Sequence, residues 1–381
     1  MDINAPVLLE PIEHTLAHAV AASRPPRSQT PDQGSSRPVR IGLVCMMRDP
    51  PALRTWLRHY ADTLRVERFY ILADDSPGLV DALRRSPHAS RIEASESSGE
   101  KRHYHRLKDR QAAHISEAIP RAREAGLTHL LHVDDDEIVY CHEGTPSLHA
   151  FLASHMAAED LHMRNLEALA PPSAAGGDDT DPFASCYAFR HTPRDYCAYI
   201  NGKSFGAVGV AGLAPAGPHH FCGGVGGGES VQVPVPPRVA VVLHYECCSF
   251  PRWRRKYAQL AASHSPADTD AVPFEFYRAS IRLAAALVAA RDANAEEAAV
   301  AQALAHWRQW KLPPPEAEVR ARELRCGGGG GGEGGGGLGT GGRPCCALAC
   351  GVSLLWPLAP HCLSVGQRLR LGLGDVGRRD V

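Results

Sequence analysis

No stretch of the 381-residue chain approaches the ~20 consecutive apolar residues that a membrane-crossing helix needs, so no transmembrane span is expected. A charge surplus is also missing. The 41 Lys and Arg residues balance 42 Asp and Glu residues, which excludes a global basic field for holding nucleic acid or an anionic membrane. Any anion must be gripped locally. There are no CxxC pairs at zinc-finger spacing, and the 12 cysteines are scattered over a large chain, so they read as free or buried thiols rather than a disulfide framework. The first forty residues lack the basic-then-apolar order of a signal peptide. Their reading is a cytoplasmic protein by default, or a Golgi protein if the start lies elsewhere. Finally, Gly202-Lys203-Ser204 has no strand-GxxxxGK context, which excludes a P-loop kinase or ATPase.

What is present suffices for a large core, since 44% of the residues are hydrophobic. Residues 1–39 end in a Ser-, Pro-, Arg- and Gln-rich stretch without apolar period and read as a disordered N-terminal segment. At the other end, 13 of the 16 residues 327–342 are glycine, a composition that cannot recover its ordering entropy by burial. Residues 326–381 therefore read as a low-complexity tail. Its Cys345, Cys346, Cys350 and Cys362 do not match the ligand spacing of known zinc sites.

Between these limits strands alternate with helices. Ile41 to Met46 is an apolar run of strand length, followed by a helical pattern through Leu53, Trp56, Leu57, Tyr60 and Leu64. Arg68 to Ala73 reads as a second strand, Leu79 to Leu83 as a short helix and Arg91 to Ala94 as a third strand. Leu107 to Ala125 carries the 3.6-residue period and stops at Gly126, where a helix C-cap belongs. Thr128 to Val133 is a fourth strand. The expected fold is α/β, a mostly parallel Rossmann-type sheet with helices on both faces and ligands at the carboxyl ends of the strands. Ala-rich helices follow over residues 261–325 as a C-terminal helical extension.

The fourth strand runs into Asp134, Asp135, Asp136 and Glu137 and then returns to apolar Ile138, Val139 and Tyr140. Side chains alternate along extended chain, so Asp134 and Asp136 are expected to point the same way and Asp135 the other. Two converging carboxylates call for a cation, and oxygen ligation selects Mn²⁺ or Mg²⁺. The bland alternative is a solvated acidic turn. Asp49 follows the first strand and Asp74 and Asp75 the second, on the same sheet edge; they suit a ribose or base, or equally a turn. Lys101, Arg102, Arg106, Lys108 and Arg110 form the densest basic patch, either a diphosphate grip or an exposed helix face. His219, His220 and His244 are the histidines best placed as metal or phosphate partners, with His244 closing the apolar run RVAVVLHY. The basic run from Arg252 to Lys256 with Trp253 and Tyr257 reads as a cationic helix near the site or a solvated face.

The run HVDDDEIVY resembles the aspartate-x-aspartate-glutamate segment of GT-A glycosyltransferases of the family 2 and family 92 (DUF23-like) type. CMMRDPPALRTWLRHYADTLRVERFYILADDS is similar to the opening strand, Trp-bearing helix and second strand of that family. Gln111 stands in the helix where the family carries one, and NGKSFGAV, AGPHHF and VVLHYECCSFPRWRRKYAQL follow in the family's order. The resemblance covers residues 40–260. It departs from the pattern at Pro50, which follows Asp49 where an acid is usual, and at Thr55, which precedes Trp56 where a glutamate is usual.

The resemblance implies transfer of a sugar from a nucleotide-sugar donor, of the UDP class, to a glycan or other hydroxyl acceptor. Asp134, Asp136 and His244 are then expected to hold the divalent metal, and Asp49, Asp74, Asp75, Arg106, Gln111 and Lys203 to bind the donor. An inverting reaction also needs a carboxylate within ~3 Å of the acceptor hydroxyl, for which Glu137, Asp195 and Glu229 are the candidates. Two alternatives use the same residues: a metal-dependent nucleotidyltransferase, and a catalytically inactive relative that binds a glycan or a partner protein.

Overall fold

The computed structural model describes residues 38–97, 107–175, 181–186, 188–190, 196–223 and 232–313. Arg106, Asp195 and Glu229 lie outside the described residues, as do the N-terminal segment up to residue 37 and the Gly-rich tail. Strand β1 (Ile41–Met47) is buried along its whole length. Its unbroken apolar run is what a strand covered on both faces requires. Ile41, Leu43, Cys45 and Met47 enter one core, while Val44 enters a second core with Ile115, Ala118, Ile119 and Ala122.

The chain then alternates through helix α1 (Leu53–Arg58), strand β2 (Arg68–Ala73), helix α2 (Leu79–Arg84), strand β3 (Ile92–Glu96), helix α3 (Leu107–Glu124) and strand β4 (His129–His132). Trp56 and Leu57 of α1 and Leu79, Val80 and Leu83 of α2 fill the first core, and α3 covers the opposite face. Gly126 ends α3 as expected. With φ of 68°, it turns the chain so that its N–H meets Arg123 O at 2.9 Å and the Leu127 N–H meets Ala122 O at 3.0 Å.

Beyond β4 come strand β5 (Glu137–Tyr140), helix α4 (Thr145–Ala153), strands β6 (Asp160–Met163) and β7 (Asn165–Leu169), and the short helix α5 (Pro182–Ser185). Strands β8 (Ala188–Arg190), β9 (Lys203–Ala207), β10 (Ala214–Pro215), β11 (Phe221–Cys222), β12 (Gln232–Pro234) and β13 (Val241–His244) follow among the described residues. The main sheet has seven strands in the order β12-β6-β9-β4-β1-β2-β3. Strands β4, β1, β2 and β3 are parallel, as is the pair β12 and β6, and β9 runs antiparallel between β4 and β6. This is the mixed α/β, Rossmann-like arrangement. A second sheet has the order β5-β13-β7-β8.

Helices α6 (Phe250–Ser263), α7 (Pro266–Ala271), α8 (Glu275–Ala289) and α9 (Ala293–Lys311) close the described chain. Trp253 and Tyr257 of α6 share one apolar core with Phe276, Ile281 and Trp307, and with the residues beneath the main sheet. Helix α6 runs through residue 260, so that position falls inside an element. Among the described residues no helix is long and apolar enough to cross a membrane.

Candidate active site

Three parallel strands deliver their carboxyl ends to one edge. β1 ends at Arg48 and Asp49, β2 at Asp74 and Asp75, and β4 at the acidic run. The main-chain N–H of Arg48 donates to Asp135 Oδ2 at 2.9 Å, and its guanidinium donates to Asp74 Oδ2 at 2.7 Å. The acidic run carries the chain from β4 in the first sheet to β5 in the second, and does so through a turn at Asp135 and Asp136. Glu137 N donates to Asp134 O at 3.3 Å, and the Glu137 carboxylate accepts the Asp134 N–H at 2.7 Å. Alternation holds only for extended chain, so it does not apply across this turn.

Asp134 is held by the chain itself. Gln111 Nε2 donates to one carboxylate oxygen at 2.7 Å and Lys203 Nζ to the other at 2.6 Å. Burial would raise this carboxyl, but the charge of Lys203 outweighs it and holds the pKa well below the ordinary aspartate value. Asp134, expected to share a cation with Asp136, is instead seen bound by Gln111 and Lys203. Asp134 lies outside the metal-capable group described below, and Gln111 and Lys203 meet it.

The Gly-Lys-Ser step is explained by the same contact. Gly202 has φ of 59°, and a Cβ there would stand 2.0 Å from the Met163 carbonyl oxygen. Only glycine lets β9 begin so close to β6 and send Lys203, fully buried, toward Asp134.

Glu137, expected as a candidate proton acceptor, is buried beside Lys203. Its side chain is fully buried, one oxygen latches the Asp134 N–H, and Lys203 Nζ lies 3.5 Å away. Burial pushes its pKa well above the ordinary glutamate value. Lys203 is thus shared between Asp134, the closer partner, and Glu137.

Asp136 joins His244 and Glu246 instead. Each of the three offers one ligand atom, and these atoms lie within 4.8 Å of one another. His244 Nε2 is 3.7 Å from Asp136 Oδ1 and 3.8 Å from Glu246 Oε2. The pairing of β13 with β5 brings them together, because His244 stands opposite Glu137 and the Tyr245 N–H binds Asp136 O at 2.8 Å. Donor atoms around one ion at ~2.1 Å stand ~3 to 3.5 Å apart, so a small closure would fit a metal.

All three residues are buried, and Glu246 Oε1 and His244 Nδ1 have no hydrogen-bond partner. The mixed carboxylate-imidazole donor set is one that a divalent ion accepts, and the unpartnered Glu246 Oε1 is the oxygen of that carboxylate left free of Lys256 and Tyr277. Glu246 also receives Lys256 Nζ at 2.7 Å and Tyr277 OH at 2.8 Å. Burial would raise its carboxyl, and Lys256 and His244 together hold it far below the ordinary value. Sequence reasoning missed Glu246, although His-x-Glu leaving a strand was a readable signal for two side chains on one face.

The other candidates divide. Asp74 is buried, and its Oδ2 accepts from Arg48 and from Arg110 Nη2 at 3.0 Å. Asp75 is exposed at the end of β2 with φ of 51°. Asp49 has the same φ and an exposed carboxylate 3.4 Å from Arg255 Nε, while its carbonyl accepts Arg252 Nη1 at 2.7 Å. His219 is held through Nδ1 by Gly202 O at 2.9 Å, and burial and Lys203 lower its pKa to about 3. An open depression of about 800 Å³, lined by Arg40, Asp62, Arg65, Glu67, Arg91 and His149, lies at the opposite, amino ends of β1 to β3.

No protein-family profile and no curated protein matches the chain. Among solved structures the chain is similar to the mannose-1-phosphate geranyltransferase from Thermus thermophilus. The identity is 13%, over 70% of this chain and 68% of that one, with a TM-score of 0.23. A likeness of that size has no bearing on activity.

Proposed function

We propose that the chain is a metal-dependent glycosyltransferase that moves a sugar from a nucleotide-sugar donor, of the UDP class, to a hydroxyl acceptor. The observation that carries this reading is the buried group Asp136, His244 and Glu246 at the carboxyl edge of a parallel sheet, where α/β folds bind ligands. The family 2 and family 92 resemblance of the same segments supplies the reaction class. Two carboxylates and one imidazole suit Mn²⁺, with Mg²⁺ second, and the bound ion supplies the charge that a departing nucleoside diphosphate requires.

The chain's own residues do the rest. Lys203 and Gln111 hold Asp134 in one orientation, each on one carboxylate oxygen, and we place it with the donor-binding residues. Asp49 and Asp75 present exposed carboxylates at the ends of β1 and β2 for a ribose or base. Arg106 keeps its proposed place on the diphosphate, and Asp195 and Glu229 stay as the proposed proton acceptors.

The test is incubation of the full chain with a panel of nucleotide sugars and Mn²⁺. Release of a nucleoside diphosphate is the expected outcome. Pyrophosphate release would point to nucleotidyl transfer, and no turnover with no Mn²⁺-dependent nucleotide binding by calorimetry would point to a non-catalytic binder. Asp136→Asn is expected to abolish turnover with Tm unchanged or slightly raised. Burial and the neighbouring Asp136 push Asp135 up to about 7, so removing the Asp136 charge relieves repulsion. A wild-type rate in that variant would remove Asp136 from the site.

A further inference from the structure

A second cluster lies on the other side of β9. Asp160 and His162 alternate along β6 and share one face. Ser204 of β9 stands opposite His162, and Gln232 of β12 opposite Asp160. His220, just before β11, completes the group: its Nδ1 is 3.0 Å from Asp160 Oδ2, and its ring centroid is 4.7 Å from that of His162. One ligand atom from each of Asp160, His162 and His220 lies within 4.8 Å of the others. Lys203 points toward Asp134 while the next residue, Ser204, serves this cluster, so the two groups occupy opposite faces of β9.

We propose that Asp160, His162 and His220 form a second divalent-metal site of the Zn²⁺ type, separate from the group around Asp136. Two imidazoles and one carboxylate are a zinc-like donor set with a fourth position left for water. His162 Nδ1 bonds Ser204 Oγ at 3.1 Å, which leaves Nε2 to ligate and fixes the ring as an outer partner does in metal sites. Asp160 is only 3% exposed and has no Lys or Arg ion-pair partner among the described residues. Gln232 Nε2 meets both Asp160 Oδ2 and His220 Nδ1 at 3.1 Å. A metal here ties the turn that carries His220 to β6 near the edge strand β12 of the main sheet.

The test uses the full chain, stripped with a chelator and titrated with Zn²⁺ against a chromophoric competitor, in a His244→Gln background that disables the other group. One tight equivalent is expected. His220→Gln and His162→Gln should each weaken it by more than ~100-fold, and Ser204→Ala by ~10-fold, the range for an outer partner. Co²⁺ substitution should show no thiolate charge-transfer band, which separates this site from the cysteines of the C-terminal tail. Circular dichroism identifies any variant that fails to fold, and the second histidine variant then decides. An equivalent of Zn²⁺ kept unchanged in both histidine variants, or no tight equivalent at all, overturns the proposal. Neither outcome touches the glycosyltransferase reading, which is measured by nucleotide release with Mn²⁺.

Discussion

Lys203 concentrates the electrostatics of the site in one side chain. It is fully buried with two acids, Asp134 at 2.6 Å and Glu137 at 3.5 Å, and a carbonyl, Pro218 O, at 3.3 Å. Burial alone would lower its pKa, but Asp134 and Glu137 together raise it. Removing one member of a buried pair strands the other, at a cost of ~3 to 5 kcal/mol. Lys203→Met is expected to lose stability on that scale in urea unfolding, and Lys203→Met with Asp134→Asn to recover part of it. A loss below ~1 kcal/mol would mean that solvent already screens the pair. At this scale the sequence was partly readable. Gln111, Lys203 and the acidic run stood out individually, yet the pairing of the first two with Asp134 depends on a turn that reverses the alternation used to orient the acids.

Helix α9 is fastened at its last residue. Lys311 is fully buried, its Nζ lies 3.3 Å from Glu167 Oε1 and 3.1 Å from Ala168 O, and its own carbonyl accepts the Ala170 N–H at 2.7 Å. Cys197 Sγ donates to the same glutamate at 2.6 Å. These contacts join the C-terminal helices to β7 of the second sheet. Lys311→Met is expected to cost about 3 kcal/mol in thermal or urea unfolding. Arg190, 3.5 Å from Glu167 Oε1, keeps the loss at the lower end. A variant as stable as the parent would show that apolar packing of Trp307 alone holds the helix.

At the element scale, β1, β2 and α3 were legible because long apolar runs and a full helical period leave little ambiguity. The two-residue strands β10 and β11 and the three-residue strands β8 and β12 were not. Segments so short carry no period, and partners distant in sequence define them.

The whole molecule carries a set of histidines buried without their protons. Burial lowers His129 to about 4 and His132 to about 3, from an ordinary value near 6.5. The unfolded chain binds protons at these positions before the folded one does, so stability falls as pH drops through 6.5 toward 4. At pH 5 the loss is on the order of 2 kcal/mol for each such histidine. The carboxyls of Asp135 and Glu137, raised by burial, act in the opposite sense over the same range, so the histidine share is read by difference: between about pH 7 and pH 5 the urea midpoint of a His129→Gln variant should fall less, or rise more, than that of the parent. Identical pH dependence of the two would contradict the burial of His129. The carboxyls of Asp134 and Glu246, held low in the fold, add their own loss only at still lower pH.

Composition, period and turn residues are local properties, and from them alone came the parallel α/β core, the stop of α3 at Gly126 and the delivery of acids to one sheet edge. Tertiary structure alone decided which oxygen faces which partner. The chain turns at Asp135 and Asp136 as it passes between two sheets, so the alternation of extended chain does not hold there. Strand β13 then brings His244 and Glu246 to Asp136 from far along the sequence, and β9 brings Lys203 to Asp134. Such meetings are set by strand pairing and burial over the whole fold, and no local pattern encodes them.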